Sequence, residues 1–317
     1  MADLNLSTLA KHFSDVEAAW LLVETLRWPN GEKGCPHCGV IGQHYFLAPK
    51  ARRTTSTGKV SYRRIWKCAD CRKQFSVLVG TIFEDSKLPL SKWLLGIYLM
   101  CSGKNGVSAL ELSRQLGITQ KSAWHMGHRI RLAMTREPMA SKMSGIVEAD
   151  ETYIGGQARG RGQGFIQNKT SVFALVERGG EVRAQVMKRV TRNNIEEAIR
   201  DQVDLDATTL MTDRSTLYVP IGRKFAGGHG RVDHGRGEYA RDGGHTHSNT
   251  VENFFGQLKR SLDGTHHHVG EDHLHRYVDE FSYRYNTRGW TDGQRLMDTV
   301  FSTQGRRLTY GPLKGEA

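Results

Sequence analysis

Four cysteines, arranged as two closely spaced pairs, are the residues of this sequence with the clearest metal chemistry. Cys35 and Cys38 form one CxxC motif, and Cys68 and Cys71 form another. Four thiolates make the tetrahedral sulfur site that Zn²⁺ favours, and such a closed site leaves no open coordination position. We therefore expect one structural zinc ion. The alternatives are four unrelated thiols or a redox pair.

The segment between the two cysteine pairs supports the zinc interpretation. Its 29 residues contain two strand-like stretches, HYFLAP and VSYRRIWK, with the turn-forming stretch TTSTG between them. Two strands joined by a turn predict a β-hairpin. Two CxxC motifs joined by a hairpin make a zinc ribbon.

A run of carboxylates is the second group of residues that could do chemistry. The strand-like stretch VEADETYIGG, residues 147–156, places Glu148, Asp150 and Glu151 within four positions. Glu148 lies on the same side of the strand as Asp150, whereas Glu151 points away. We expect Asp150 to be the functional acid, and either of the other two can be an ordinary solvated carboxylate.

The elements that follow this strand should bring a second acid close to Asp150. The pattern predicts strands over 171–179 and 182–190, a helix over 193–203, a buried strand over 207–213 and a later helix from about 247. This order is that of the ribonuclease H-like fold, an α/β fold with a mixed sheet flanked by helices. Asp213 ends the fourth strand, so the two aspartates come from different strands.

The late helix separates an apolar face from a polar one. Val251, Phe254, Phe255, Leu258 and Leu262 recur at helical spacing and should pack on the sheet. Asn249, Glu252, Gly256 and Lys259 lie on another face. Glu252 can therefore join Asp150 and Asp213. Three converging carboxylates repel one another unless cations lie between them, which predicts a site for two Mg²⁺ or Mn²⁺ ions.

The positive charge of the chain is concentrated before this fold begins. The net charge is +12, and residues 31–140 contain 18 Lys and Arg against 6 Asp and Glu. This clustering indicates a nucleic-acid-binding region. Three helices predicted over 91–134 form either a helix-turn-helix unit or an ordinary bundle with a basic face. The residues expected to contact DNA are Arg52, Arg53, Arg63, Arg64, Lys121, Arg129 and Arg131.

Together these motifs resemble those of the DDE-type transposases of bacterial insertion sequences. The resemblance is to the branch with an N-terminal zinc ribbon and a ribonuclease H-like, retroviral-integrase-like catalytic domain. It rests on RWPNGEKGCPHCG, VEADETYIGG, TDRSTLY, HSNTVENFFGQLKR and HLHRYVDEFSYRYN, within residues 18 to about 286. It implies Mg²⁺-dependent cleavage at element ends and joining to target DNA. It also implies that Asp150 and Asp213 are the first two catalytic acids.

The third catalytic position has two candidates. The resemblance implies a Glu followed seven residues later by Lys or Arg, which Glu252 and Lys259 match, yet related members of this branch have Asn in this role. Asn249 follows Asp213 at a slightly more familiar spacing. Charge favours Glu252, because a hard cation prefers an anionic oxygen. Lys259 either contacts a phosphate near the reacting end or is a solvated lysine.

The resemblance also implies the partners of the protein. These are double-stranded DNA, both the terminal inverted repeats of the element and the target, and further copies of the chain in a homodimer or higher oligomer. A catalytically silent DNA-binding relative and a nuclease of the same fold are the alternatives. The longest apolar run, residues 93–101, is too short to span a bilayer. We expect a cytoplasmic, nucleoid-associated protein without a membrane segment.

Four regions follow from these patterns. Residues 1–30 should contain an N-terminal helix, which starts at Ser14 with Glu17 at capping-box spacing. The zinc ribbon should occupy residues 31–85 and the helical DNA-binding region residues 86–140. The catalytic domain should occupy residues 141–317.

Overall fold

The computed structural model divides the chain into two compact units. One consists of Met1–Met134 with Trp290–Ala317, and the other of Thr135–Gly289. The residues that the structure describes are 5–42, 44–48, 53–54, 60–136, 141–155, 169–233, 236–238 and 240–314. Among these residues, no helix is both long and apolar enough to cross a membrane.

Two short helices begin the first unit, α1 (Leu6–His12) and α2 (Val16–Arg27). The N-cap of α2 is Asp15 and not the predicted Ser14, because the Ser14 hydroxyl donates back to the carbonyl of Lys11. The Asp15 carboxylate instead accepts from the Glu17 N–H at 3.0 Å. A negative side chain at this end also suits the helix dipole.

The zinc ribbon follows, and its described residues form seven short strands. They are β1 (Lys33–Gly34), β2 (Ile41–Gly42), β3 (His44–Leu47), β4 (Arg53–Thr54), β5 (Val60–Ser61), β6 (Ile65–Cys68) and β7 (Gln74–Phe75). All pairs are antiparallel: β1 with β2, β4 with β5, and β6 between β3 and β7. The predicted hairpin is therefore present, although most of its TTSTG turn lies outside the described residues.

One buried carboxylate connects α2 to this ribbon. Glu24 is 8% exposed and accepts from Arg64 Nε and from Trp66 Nε1, each at 3.0 Å. Arg64, just before strand β6, and Trp66, within it, are thereby fixed to the preceding helix. Helix and ribbon form one folded body, since a buried ionised group needs such partners.

Three helices then match those predicted from the sequence, α3 (Leu90–Ser102), α4 (Ala109–Leu116) and α5 (Gln120–Met134). Gly117 ends α4 in the left-handed conformation, with φ of 58°, and the chain turns at once into α5. Helices α3 and α5 approach closely at Gly96, where an added Cβ would lie 2.8 Å from the Met126 sulfur.

The second unit is built on one mixed sheet of five strands. In chain order its elements begin with β8 (Met143–Ile154), β9 (Thr170–Glu177), β10 (Val182–Met187), α6 (Arg192–Gln202), β11 (Val203–Asp213), α7 (Val219–Gly222) and β12 (His229–Val232). The strand order is β10-β9-β8-β11-β12. The first three strands are antiparallel, and β11 is parallel to both β8 and β12. This is the ribonuclease H-like sheet that the sequence predicted.

Helices cover both faces of the sheet. Val147 and Ala149 of β8 point into the core beneath α6 and α7, together with Ile195 and Ile221. The opposite face packs against α8 (Asn249–Ser261) and α9 (Glu271–Asn286). Because side chains alternate along a strand, the even-numbered residues of β8 point toward α8 and α9.

The last helix, α10 (Asp292–Phe301), belongs to the first unit and not to the predicted catalytic domain of 141–317. It packs on α2 and α3, where the Cys101 sulfur lies 3.5 Å from Thr299 Oγ1. Beyond it, the Gly305 N–H donates to the Gly80 carbonyl at 2.8 Å. These contacts assign residues 290–317 to the N-terminal part of the chain.

Candidate functional site

The four cysteine sulfurs lie together in the ribbon. All are within 4.8 Å of one another, with 3.7 Å from Cys35 to Cys71 and from Cys38 to Cys68. A tetrahedral ion with bonds of about 2.3 Å requires sulfur–sulfur separations of about 3.8 Å. The cluster therefore fits zinc. Within the described part of the chain, no other three Cys, His, Asp or Glu side chains bring their ligand atoms this close.

Backbone N–H groups favour thiolates at this cluster. Burial raises the pKa of Cys35, but hydrogen bonds from the backbone of His37 and Cys38, and from neighbouring thiols, lower it overall to about 7. Burial also raises the pKa of Cys68, but hydrogen bonds from the backbone of Cys71 and Asp70, and from neighbouring thiols, lower it overall. Cys38 differs, because the Val40 backbone lowers its pKa but burial and the neighbouring thiols raise it overall to about 12. Since the thiolate is the form that binds metal, Cys35 and Cys68 are the cysteines whose surroundings favour that form.

The two predicted catalytic aspartates lie on neighbouring parallel strands. Met211 of β11 is paired with Glu148 of β8, and two further residues along each strand lead to Asp213 and Asp150. Asp213 also closes the end of its strand, where its Oδ1 accepts from the Ser215 N–H at 2.9 Å. The parallel register thus brings the two carboxylates to the same level of the sheet.

Asp150 is in an environment that opposes its ionisation. Burial, and then the charge of Glu151, raise its pKa, and the charges of Asp213 and Glu252 raise it further, to about 8. The sequence therefore brings together the acids it was expected to bring together. Carboxylates that repel in this way are stabilised by a cation between them.

The donor set is that of a site for hard divalent cations. All the acids offer carboxylate oxygen, which Mg²⁺ and Mn²⁺ prefer. The ligand oxygens of Asp150, Asp213 and Glu252 do not all fall within 4.8 Å of one another. Three oxygens on one Mg²⁺ would lie closer than this, because each bond is about 2.1 Å long. At least two of these oxygens therefore lie farther apart in this structure than they would on one shared ion.

Glu151 is not the solvated carboxylate that the sequence left open. Its side chain accepts a hydrogen bond from the hydroxyl of Tyr218, which is fully buried. Burial raises the pKa of Glu151, while the bond from Tyr218 lowers it. No sequence pattern predicts this contact, because Tyr218 lies beyond Asp213 in a short helical turn.

Glu148 is also not solvated, since it is 0% exposed. Its carboxylate accepts from Arg178, in the turn after β9, and from the start of α8. These partners are 30 and more than 100 residues away in the chain, so local pattern could not reveal them. A buried ionised group of this kind must have its partners supplied by the fold.

Helix α8 carries the remaining predicted residues. Glu252 is half-buried in its first turn, with its Oε1 3.4 Å from the Ser248 hydroxyl. Asn249 is exposed, and its N–H donates to His247 Nδ1 at 3.3 Å. Lys259 is exposed in the last turns of the helix. The charge of Glu252 also raises the pKa of Asp150, after burial and the charge of Glu151, so this acid lies close enough to act on Asp150.

The ribbon residues that were predicted to contact DNA differ in how exposed their side chains are. Arg52 lies outside the described residues, and only the backbone of Arg53 is described, in β4. Arg63 is exposed and available to a phosphate. Arg64 is not: its side chain is 13% exposed and pairs with Glu17 and Glu24 at 3.0 Å. It holds the ribbon to α2.

The residues predicted on α5 divide in the same way. Lys121 is exposed, with its Nζ 4.9 Å from the centre of the Tyr310 ring. Arg129 and Arg131 are 5% and 4% exposed, so the prediction that they contact DNA is wrong for this conformation. Arg129 donates to the Glu84 carbonyl and stacks on Trp93. The basic residues near the end of α5 face the interior of the unit.

Parts of both units match known protein families. Residues 142–286 match the ISXO2-like transposase domain, and residues 14–74 match the transposase zinc-ribbon domain. An uncharacterized protein in transposable element ISH50 of Halobacterium salinarum (strain ATCC 700922 / JCM 11081 / NRC-1) is 28% identical over 92% of this chain and 97% of its own. The crystal structure of a pre-cleavage Mos1 transpososome covers 65% of this chain and 76% of its own, at 12% identity. The TM-score of this comparison is 0.27.

Proposed function

Because the chain belongs to the DDE-type insertion-sequence transposases that combine a zinc ribbon with an ISXO2-like transposase domain, we propose that it cuts DNA at element ends and joins those ends to target DNA. The observation that carries this proposal is the convergence of Asp150, Asp213 and Glu252. They come from two neighbouring parallel strands and a helix. Burial and the charge of Glu151, and after them the charges of Asp213 and Glu252, raise the pKa of Asp150 to about 8.

The proposed cofactors at these acids are two Mg²⁺ or Mn²⁺ ions. When bound, such ions supply positive charge that activates water and stabilises a leaving 3′ oxygen in phosphodiester cleavage. Asp150 and Asp213 hold that charge at the edge of the sheet. Phosphoryl transfer needs little other side-chain chemistry beyond positioning, so a small set of acids is sufficient.

Glu252 is the third acid of the proposed site. It is half-buried and acts electrostatically on Asp150, whereas Asn249 is exposed one turn earlier in the same helix. Its anionic oxygen is also the better ligand for a hard cation. Lys259, exposed two turns later, is proposed to contact a phosphate near the reacting end.

The first unit is proposed to recognise the terminal inverted repeats. Its basic segment supplies the charge that phosphate backbones attract, and Arg63 and Lys121 are exposed there. Helix α5 follows α4 after a tight turn at Gly117, which is the arrangement of a helix-turn-helix unit. We further propose that two or more copies assemble on DNA, since cutting and joining both ends of an element requires a catalytic site at each end.

A cleavage and strand-transfer assay with inverted-repeat DNA and Mg²⁺ tests the proposal. Joined product supports a transposase, cut product alone supports a nuclease, and the absence of product with normal DNA binding supports a silent relative. Asp150→Asn and Asp213→Asn should abolish both products and keep DNA binding, because each loses a metal-binding anion without losing volume. Asp206→Asn, an exposed aspartate on the same strand as Asp213, is the matched control and should remain active.

A further inference from the structure

Glu148 lies two residues before Asp150 on β8, on the same side of the strand. Its carboxylate is completely buried, yet it points at the helix that carries Glu252 and not at solvent. A charge in such a position is costly unless every lone pair is satisfied. The contacts of the Glu148 carboxylate therefore indicate its role.

The first set of contacts is with the start of α8. Glu148 Oε2 accepts from the backbone N–H groups of Thr250 and Val251, at 2.8 and 3.0 Å. Its Oε1 accepts from the Thr250 hydroxyl at 2.8 Å. The N-cap residue of this helix, Ser248, makes no side-chain hydrogen bond to the helix N–H groups. Glu148 therefore performs the capping role from a neighbouring strand, where its charge also suits the helix dipole.

The second set of contacts is with Arg178. Its Nε donates to Glu148 Oε1 at 2.7 Å, and its two terminal nitrogens donate to the carbonyls of His245 and His247, at 2.6 and 2.9 Å. The guanidinium thus neutralises the buried carboxylate and holds the segment that leads into α8. We call Glu148, Arg178 and the Thr250–Val251 backbone the Glu148 clamp.

Both oxygens of Glu148 are occupied by these partners, and His247 Nδ1 lies 3.1 Å from Oε1 as well. No lone pair is left for a cation. The clamp instead joins the strand of Asp150 directly to the first turn of α8, where Glu252 lies. A hydrogen-bonded carboxylate with such short contacts permits little sliding between the two elements.

We propose that Glu148 is a positioning residue that fixes Glu252 relative to Asp150, so that the third acid reaches the cation site. This inference rests on the proposed function. It assigns to the buried glutamate of the EADE stretch a role in geometry, and none in direct metal binding.

Two measurements on zinc-loaded protein without DNA test the clamp. The first is hydrogen exchange of the Thr250 and Val251 amides without divalent cation, and the second is Mn²⁺ affinity from the electron paramagnetic resonance of free Mn²⁺. Glu148→Gln should accelerate exchange and weaken Mn²⁺ binding by about tenfold, since groups that orient a metal ligand typically contribute that much. Unchanged exchange or unchanged Mn²⁺ affinity in a folded variant would overturn the proposal.

Glu280→Gln is the matched control. Glu280 is also 0% exposed and pairs with an arginine, Arg284 at 2.7 Å, but it lies on α9. The Glu280→Gln variant should be less stable but keep its Mn²⁺ affinity within about twofold of the wild type, because Glu280 orients no metal ligand. If Glu148→Gln does not fold, Thr250→Val replaces it. That variant removes only the hydroxyl donor to Glu148 and should cause the same changes at smaller size; if it leaves exchange and affinity as in the wild type, the proposal fails.

A double variant separates positioning from direct binding. In a Glu252→Gln background, Glu148→Gln should cause no further loss of Mn²⁺ affinity, because the acid that it positions is already neutral. A second tenfold loss would make Glu148 an independent ligand and overturn the proposal. If Asp150→Asn leaves Mn²⁺ affinity unchanged, the proposed catalytic site is what fails, and amide exchange alone then decides whether the clamp holds α8.

Discussion

The zinc ribbon and the carboxylate site assemble their ligands in opposite ways. In the ribbon, two local turns bring four sulfurs within 4.8 Å, and backbone N–H groups lower the pKa of Cys35 to about 7. In the second unit, which we call the catalytic unit for its proposed role, β8, β11 and α8 each contribute one acid. There, burial and repulsion raise the pKa of Asp150 to about 8.

The contrast indicates what each metal is for. The ribbon has a small core and short strands, so the free energy of zinc binding is a large part of its stability. The catalytic unit has extensive apolar cores on both faces of its sheet and keeps its acids together against their repulsion. We therefore expect zinc to stabilise the ribbon, and Mg²⁺ to relieve a strain that the catalytic unit already tolerates.

Zinc removal should give the largest effect and directly tests whether zinc stabilises the ribbon. Cys35→Ser or Cys71→Ser should unfold the ribbon and weaken binding to element ends, because structural zinc contributes about 10 kcal/mol or more in small sites. Circular dichroism, zinc content and DNA binding measure this. Cys101→Ser, which changes a buried thiol outside the cluster, is the control. A ribbon that stays folded after chelation would contradict the prediction.

The pH dependence of stability tests the carboxylate site. Metal-free folded protein keeps the Asp150 proton up to about pH 8, whereas the unfolded chain loses it near pH 4. The folded state binds more protons in this window, so the free energy of unfolding should decrease as pH rises, by up to about 5 kcal/mol.

The control for this pH effect is Asp150→Asn. Burial lowers the pKa of His229 to about 4 and also lowers that of His247, and both changes act in the opposite direction. Only the difference between wild type and Asp150→Asn isolates the aspartate. Denaturant unfolding at pH 5 and pH 8 measures it, and saturating Mg²⁺ should remove the difference. Equal pH profiles for the two metal-free proteins would contradict the prediction.

The third acid tests whether the catalytic site depends on charge. Glu252→Gln should reduce the cleavage rate in both Mg²⁺ and Mn²⁺ by roughly a thousandfold or more, because one anion that binds the metal directly is removed. Asn249→Ala should retain measurable cleavage, at least in Mn²⁺. Assays on intact and pre-nicked element ends measure both. The reverse result, an inactive Asn249 variant and an active Glu252 variant, would make the site Asp-Asp-Asn.

DNA binding should depend strongly on salt. If about six phosphates are contacted, DNA affinity should fall by roughly a thousandfold between about 50 and 200 mM salt.

Single arginines of the ribbon should give the smallest effects. Arg63→Ala should weaken binding and reduce the salt slope by about 1, since one phosphate contact is lost. Arg64→Ala should instead lower ribbon stability and leave the slope unchanged, because Arg64 pairs with Glu17 and Glu24. Equal slopes for both variants would contradict this distinction.

Periodicity and motif spacing were sufficient for most of the fold and for placing the three candidate acids on their strands and helix. Helices α3, α4 and α5 and strands β8 to β11 follow patterns that repeat over many residues. Strand β12 was not predicted, because its sequence HGRV is short and lacks alternation. The direction that Arg129 faces and the partners of Glu148 depend on packing between distant segments, which no local pattern contains.

The return of Trp290–Ala317 to the first unit has a consequence for the order of events during synthesis. A ribosome produces all of Thr135–Gly289 before it produces α10, and domains generally fold as their residues emerge. The catalytic unit can therefore fold while the first unit still lacks the helix that packs on α2 and α3. A chain that is terminated before α10 contains the three candidate acids but lacks a complete first unit, which is the part of the molecule proposed to bind DNA.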